Sequence, residues 1–247
     1  MKGKYLEAEL LHERSQAIRE NVLGPEHPDV AVSLNNRAAL LQQQGKYEDA
    51  CLLCKRAAAI NEAVFGQEHP RVATDLNNRA GLLYEQRKYD EADQLYMRVI
   101  EMDEKNLGLD HPDLAMSLHN RAVLLSTQKK YAEAQSLFER ALAIREGALG
   151  ADHPDTIASH AWMAKLYMDQ RFLDKASPLL EMVVSARERV LGHDHPDVAS
   201  ALSSRAELLE DQGEHGEAIL LLERASFILV KTLGENHDST VQTRITL

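Results

Sequence analysis

One punctuation mark returns through the chain at a fixed step. Leu23-Gly24 recurs as Phe65-Gly66, Leu107-Gly108, Leu149-Gly150, Leu191-Gly192 and Leu233-Gly234, and each step is forty-two residues. Three residues after each Gly a His follows: His27-Pro28, His69-Pro70, His111-Pro112, His153-Pro154 and His195-Pro196, decaying to His237-Asp238 in the last copy. Ala8, Ala50, Ala92, Ala134, Ala176 and Ala218 hold one further position without exception. A period of this length is the signature of a stacked array, because one short unit cannot bury its own apolar face.

Each unit reads as two antiparallel helices. The first opens at the His-Pro-Asp step, where Pro suits the first helical position and Asp favours the positive end of the helix dipole. Its apolar stripe in the first full copy is Val30, Leu34, Ala38 and Leu41, and it stops near Gly45. The second starts near Tyr47, carries Ala50, Leu53, Cys54, Ala57 and Ile60 on one face, and ends at Gly66. Small residues at Ala38, Ala80, Ala122, Ala164 and Ala206 let neighbouring helices approach closely. The spacing predicts an all-α, right-handed solenoid of about twelve helices with a concave groove: part of a repeat over 1–24, full repeats at 25–66, 67–108, 109–150, 151–192 and 193–234, and a last first helix over 235–247. Pro178 predicts an irregular second helix in the fourth repeat.

Residues 117–155, SLHNRAVLLSTQKKYAEAQSLFERALAIREGALGADHPD, resemble the long tetratricopeptide repeats of kinesin light chains in their helix pattern and closing His-Pro-Asp loop. The likeness extends to arrays carried by NB-ARC-type signalling ATPases of algae. It implies that first helices line the groove and that an Asn there holds the backbone of a bound peptide. Where that family places an apolar residue after the Asn pair, this chain has Arg37, Arg79, Arg121 and Arg205.

On that resemblance the groove positions are Asn35 and Asn36, Asn77 and Asn78, His119 and Asn120, Ala161 and Trp162, then Ser203 and Ser204, with Ala39, Gly81, Val123, Lys165 and Glu207 beside them. These vary while the framework repeats. An amide both donates to and accepts from an extended backbone, which suits Asn36, Asn78 and Asn120 to a ligand; the other reading has them bridge adjacent helices. Trp162, the sole Trp, is either an interface anchor or folded back onto its own repeat. The Arg series is either a structural ladder, with Asp75 a local partner for Arg79, or a grip on an acidic peptide.

A formal charge of −11 argues against nucleic acid or an anionic membrane as partner. Cys51 and Cys54 form a lone C-x-x-C inside a helix, so neither a disulfide framework nor a metal site is expected, and a reducing, cytoplasmic setting fits. No nucleophile elbow, phosphate-cradling loop or metalloprotease helix is present, and neither an enzyme nor a cofactor is expected. The expectation is a scaffold that recognises a protein or peptide in its groove, with a spacer as the rival. The chain opens on a second helix and closes within a first one, which suggests a piece of a longer array. Val241 and Ile245 at one end, and the face of the opening helix at the other, suggest end-to-end association.

Overall fold

A computed structural model describes the backbone of residues 2–246 and the side chains of residues 7–243. Among the described residues there are twelve helices and no strand. The chain separates into two compact units, Met1–Gln128 and Lys129–Leu247. The first holds α1 (Lys2–Leu23), α2 (Pro28–Gln43), α3 (Tyr47–Phe65), α4 (Pro70–Glu85), α5 (Tyr89–Leu107) and α6 (Pro112–Thr127). The second holds α7 (Tyr131–Leu149), α8 (Pro154–Asp169), α9 (Leu173–Leu191), α10 (Pro196–Gln212), α11 (His215–Leu233) and α12 (Asp238–Thr246). Even-numbered helices are the first of each pair and odd-numbered ones the second.

The recurring His is an N-cap. In α2 the His27 ring Nδ1 accepts the backbone N–H of Asp29 at 3.2 Å, and His69, His111, His153 and His195 do the same for Arg71, Asp113, Asp155 and Asp197. A ring nitrogen that accepts is unprotonated, so the proton of the neutral imidazole sits on Nε2. Each cap satisfies one of the amides that a helix start leaves without a partner, while Pro at the next position has none to satisfy.

First helices end in a Schellman turn. Lys46 N–H reaches Leu41 O and Gly45 N–H reaches Gln42 O, both at 2.9 Å, with Gly45 left-handed at φ 73°. Arg87 and Arg171 take that left-handed place without glycine's freedom, at φ 60° and 63°. The Gly that closes each second helix is more demanding. Gly66 stands at φ 88° and ψ 161°, a region essentially closed to other residues, which accounts for its recurrence.

The invariant small residues lie at the helix contacts. Ala50, Ala80, Ala92, Ala122, Ala134, Ala164, Ala176 and Ala206 have no exposed surface. Around them pack larger side chains such as Val30, Leu34 and Ile60 in the first unit and Val198, Leu202 and Ile228 in the second. Cys54 fills a core place at 1% exposure, and burial pushes its thiol up to about 12, so it is held as a thiol.

The irregularity expected at Pro178 does not occur. Helix α9 runs through it with the same nineteen-residue span as α3, α5, α7 and α11. Pro178 is exposed and lies within the second turn, so the carbonyl it leaves without a donor is near the helix start and open to water. At one end Leu10, Leu11 and Ile18 of α1 are exposed, as is Val241 of α12; Ile245 lies outside the described side chains.

Candidate functional site

The groove positions of the first unit converge on a cleft of about 240 Å³ across α2, α4 and α6. Asn35, Asn77, Asn78, Asn120 and Gln42 line it, with Gly81 on one wall and Cys54 and Tyr96 below. Their amides are partly spent on one another. Asn120 Nδ2 donates to Asn77 Oδ1 at 3.1 Å, tying α6 to α4. Asn35 Nδ2 donates to Asp75 Oδ1 at 2.5 Å, tying α2 to α4. Asn78 is exposed, and its side chain is open to a guest. Asn36 is exposed as well but stands outside this lining, and so does His119.

Asp75 is 1% exposed, and its second oxygen accepts from Asn61 at 2.7 Å. Burial drives its carboxyl above the usual carboxylate range, against the opposing pull of the two amides. Both oxygens are therefore committed, and Asp75 is not the partner of Arg79. The carbonyl oxygens of Asn35 and Asn61 are buried without a hydrogen bond.

This Asn61·Asp75 pair belongs to a series that inspection of single copies does not reveal. A polar residue of a second helix meets the next first helix fourteen positions on: Arg19 with Ser33 at 2.7 Å, Ser117 with Asp103 at 2.7 Å and Arg145 with Ser159 at 2.6 Å. In the last full repeat the hydroxyl is missing, because the place is Ala201. Arg187 then keeps a single hydrogen bond, to Asp197 O at 2.8 Å.

Arg187 and Ala201 line the cleft of the second unit, about 270 Å³ across α8, α9 and α10. Leu180, Val183 and Met168 give it an apolar floor, Trp162 a wall, and Arg187 a partly buried cation. Burial lowers the pKa of Arg187, which leaves it charged at neutral pH but short of solvation. Trp162 is 37% exposed and its ring lies near-parallel to Phe138, with centroids 6.4 Å apart. Lys165 and Glu207 stand at the mouth, with Lys165 Nζ 3.3 Å from Asp169. Ser203 and Ser204 turn their hydroxyls back onto Ala199 O and Ser200 O of their own helix.

Three members of the Arg series are paired with carboxylates of second helices: Arg37 with Glu13 at 2.7 Å, Arg121 with Asp93 at 2.7 Å, and Arg205 with Glu181 at 3.1 Å. These pairs are only half-buried, and each ties a first helix to the second helix before it. Arg79 departs from them, and its Nε is buried without a partner. The register places that hold Glu13 and Asp93 in those repeats carry Lys55 and Cys51 in its own.

Among the described residues no helix is long and apolar enough to cross a membrane, and no three His, Cys, Asp or Glu side chains gather to hold a metal ion. Comparison with curated protein sequences finds no match. Among solved structures, nearly identical TPR-like repeats from Podosopora anserina, described as kinesin light chain, are 28% identical with a TM-score of 0.71, over 83% of this chain and 98% of that one. BtubC (BKLC) from P. vanneervenii has a TM-score of 0.77 at 17% identity, over 96% of this chain and 94% of its own, a likeness of fold. A family model described as tetratricopeptide repeat matches residues 1–51, 29–105, 76–147, 113–161 and 155–229. Matched over nearly its whole length, the chain belongs to the tetratricopeptide-repeat family.

Proposed function

We propose that this chain is a docking module whose first helices hold an extended peptide or a protein surface, through the amide cleft of the first unit and, separately, the Trp162 cleft of the second. Tetratricopeptide repeats are in general scaffolds for protein–protein contact. The observation that carries the reading is that side chains at groove positions change from copy to copy, while caps, closing glycines and contact alanines do not. Asn78 offers an amide to a ligand backbone, and Trp162 beside Arg187 offers an anchor for one apolar side chain. The docking reading extends to a role as the sensing or recruiting part of a larger protein. Two free cysteines fit a cytoplasmic setting.

Selection of random peptides on the intact chain tests this. Peptides that lose affinity on Asn78→Ala or Trp162→Ala, with the melting curve unchanged, are the expected result. Selected peptides indifferent to both substitutions would remove the clefts from the account.

A second reading has its own observation. The exposed Leu10, Leu11 and Ile18 form an unpartnered face on α1, which suits end-to-end association of copies. Sedimentation at rising concentration checks it: a rising weight-average mass, suppressed by Leu11→Lys, is expected, and a constant monomer would exclude it.

A further inference from the structure

Another series of contacts links successive second helices. Glu stands at 20, 62, 104, 146 and 188, and the place thirty-six residues on holds Arg56, Arg98, Arg140, Met182 and Arg224. Arg56 reaches Glu20 at 2.9 Å and Arg98 reaches Glu62 at 3.0 Å, and Arg224 also meets Glu188. In the fourth repeat the guanidinium has been replaced by the thioether of Met182, while Glu146 remains.

A second substitution accompanies the first. Leu34, Leu76, Leu118 and Leu202 occupy one core position, each at 3% exposure or less, and there the fourth repeat has His160. Its Nδ1 lies 3.1 Å from Thr156 O of its own helix, and its Nε2 lies 3.5 Å from Glu146 Oε1. Both side chains line an open cavity of about 240 Å³, walled also by Ile157, Val183, Ala186 and Met182. Asp152 and Arg189 at the rim pair with each other. Glu146 thus keeps a carboxylate at a place built for a guanidinium, with an imidazole at its edge and an apolar channel leading to it.

We infer that this cavity receives an arginine side chain from a protein partner, which supplies in trans the guanidinium that Met182 does not. The stem lies along Ile157, Val183 and the flexible Met182, and the guanidinium pairs with Glu146, as its counterparts do in neighbouring repeats. His160 competes for the same oxygen, so the guest displaces that contact. Buried Val183 lines both this cavity and the Trp162 cleft, whereas Glu146, His160 and Met182 line this cavity and not that cleft.

The test uses the whole chain labelled at methionine ε-methyls, titrated with Nα-acetyl-arginine methylamide and with the neutral citrulline analogue. A saturable shift of the Met182 signal with the arginine compound only is expected. Glu146→Gln should weaken that binding about tenfold, the loss of one charge-assisted pair. His160→Leu, which restores the residue of other repeats, should tighten it severalfold. Met182→Arg should abolish binding, read on the ring protons of His160, and should raise the melting temperature by closing the pair within the chain. An unmoved Met182 signal, an equal response to citrulline, indifference to Glu146→Gln, or weaker binding in His160→Leu would each overturn the inference. The last outcome would make His160 the full internal replacement for the lost arginine.

Discussion

The two clefts share part of their register, Asn35, Ala39, Gln42, Cys54, Asn78 and Gly81 in the first answering to Ala161, Lys165, Met168, Leu180, Ser204 and Glu207 in the second, yet their chemistry is opposite. In the first unit the groove amides are tied across helices, Asn35 to Asp75 and Asn120 to Asn77. In the second, Ser203 and Ser204 bond only within their own helix, Trp162 stands half-open, and Arg187 has lost the serine that its counterpart Arg145 retains. The framework is indifferent to this exchange because it rests on caps, closing glycines and buried alanines, none of which is a groove position. The first cleft therefore has its shape set by its own hydrogen bonds, while the second keeps unspent binding capacity.

The largest effect should come from the second cleft. Trp162→Ala removes the main apolar wall and is expected to cost a selected ligand about 2 kcal/mol or more, the range of an interface anchor. Measured by titration calorimetry, it should exceed the loss from Asn78→Ala, about 0.5–1.5 kcal/mol for an ordinary hydrogen bond. Equal losses would erase the distinction between the clefts.

Stability should divide the other way. Asn35→Ala takes a donor from a buried carboxylate and is expected to lower unfolding stability by about 1–3 kcal/mol in urea. Ser203→Ala, at the same register place in the second unit, should stay within about 0.5 kcal/mol because its hydroxyl makes no contact across helices. A similar cost for both would show that the amide bridges add nothing.

The same bridge makes a pH prediction. A carboxyl raised by burial gives a contribution present below its unfolded value of 3.8 and lost as the pH rises through the folded value. Asp75→Asn has no such loss, and its new amide can donate to the partnerless carbonyl of Asn35 or Asn61. The melting temperature of the variant should thus gain on the unsubstituted protein from about pH 4 toward neutrality, with no gain at lower pH. A difference constant across that range would mean that the charge of Asp75 is not what matters.

Helix boundaries were legible in the sequence almost to the residue, because the signals that set them are local: His27, Pro28, Gly45, Tyr47 and Gly66 each act on backbone within a turn of themselves. The small contact positions were legible too, through their recurrence. Pro178 misled, since the rule that Pro breaks a helix does not weigh where the missing donor falls. The polar contacts were not legible copy by copy. Asn61 and Asp75, or Glu62 and Arg98, lie fourteen and thirty-six residues apart, and only stacking makes them neighbours. Aligning the repeats would have exposed them as positions that stay polar where the surrounding face is apolar, and would have marked Ala201 and Met182 as the places where a partner is lost.

The smallest effect concerns the Arg series, where the units differ in one member. Arg205 of the second unit meets Glu181 and Glu217, whereas Arg79 of the first has a buried Nε with no acceptor. Arg121 shows what is missing, since Asp93 binds it at both Nε and a terminal nitrogen, at 2.7 and 3.4 Å. The place of Asp93 one repeat earlier is Cys51, which is half-buried and has no disulfide partner. Cys51→Asp should give Arg79 the same fork and raise stability by about 0.5–1 kcal/mol, the upper range for a partly exposed pair. Lys55, one turn further along α3, could also attract the new carboxylate, so a gain alone does not identify the partner. A double-mutant cycle separates the two. Arg79→Met imports the residue that the fourth repeat carries there, Met163, which is buried and accepted by the fold. If the gain from Cys51→Asp persists unchanged in the Arg79→Met background, it comes from Lys55 and the ladder explanation of Arg79 fails. If it vanishes, the cationic ladder is one device in both units, and Arg79 is the member whose acceptor this sequence has replaced.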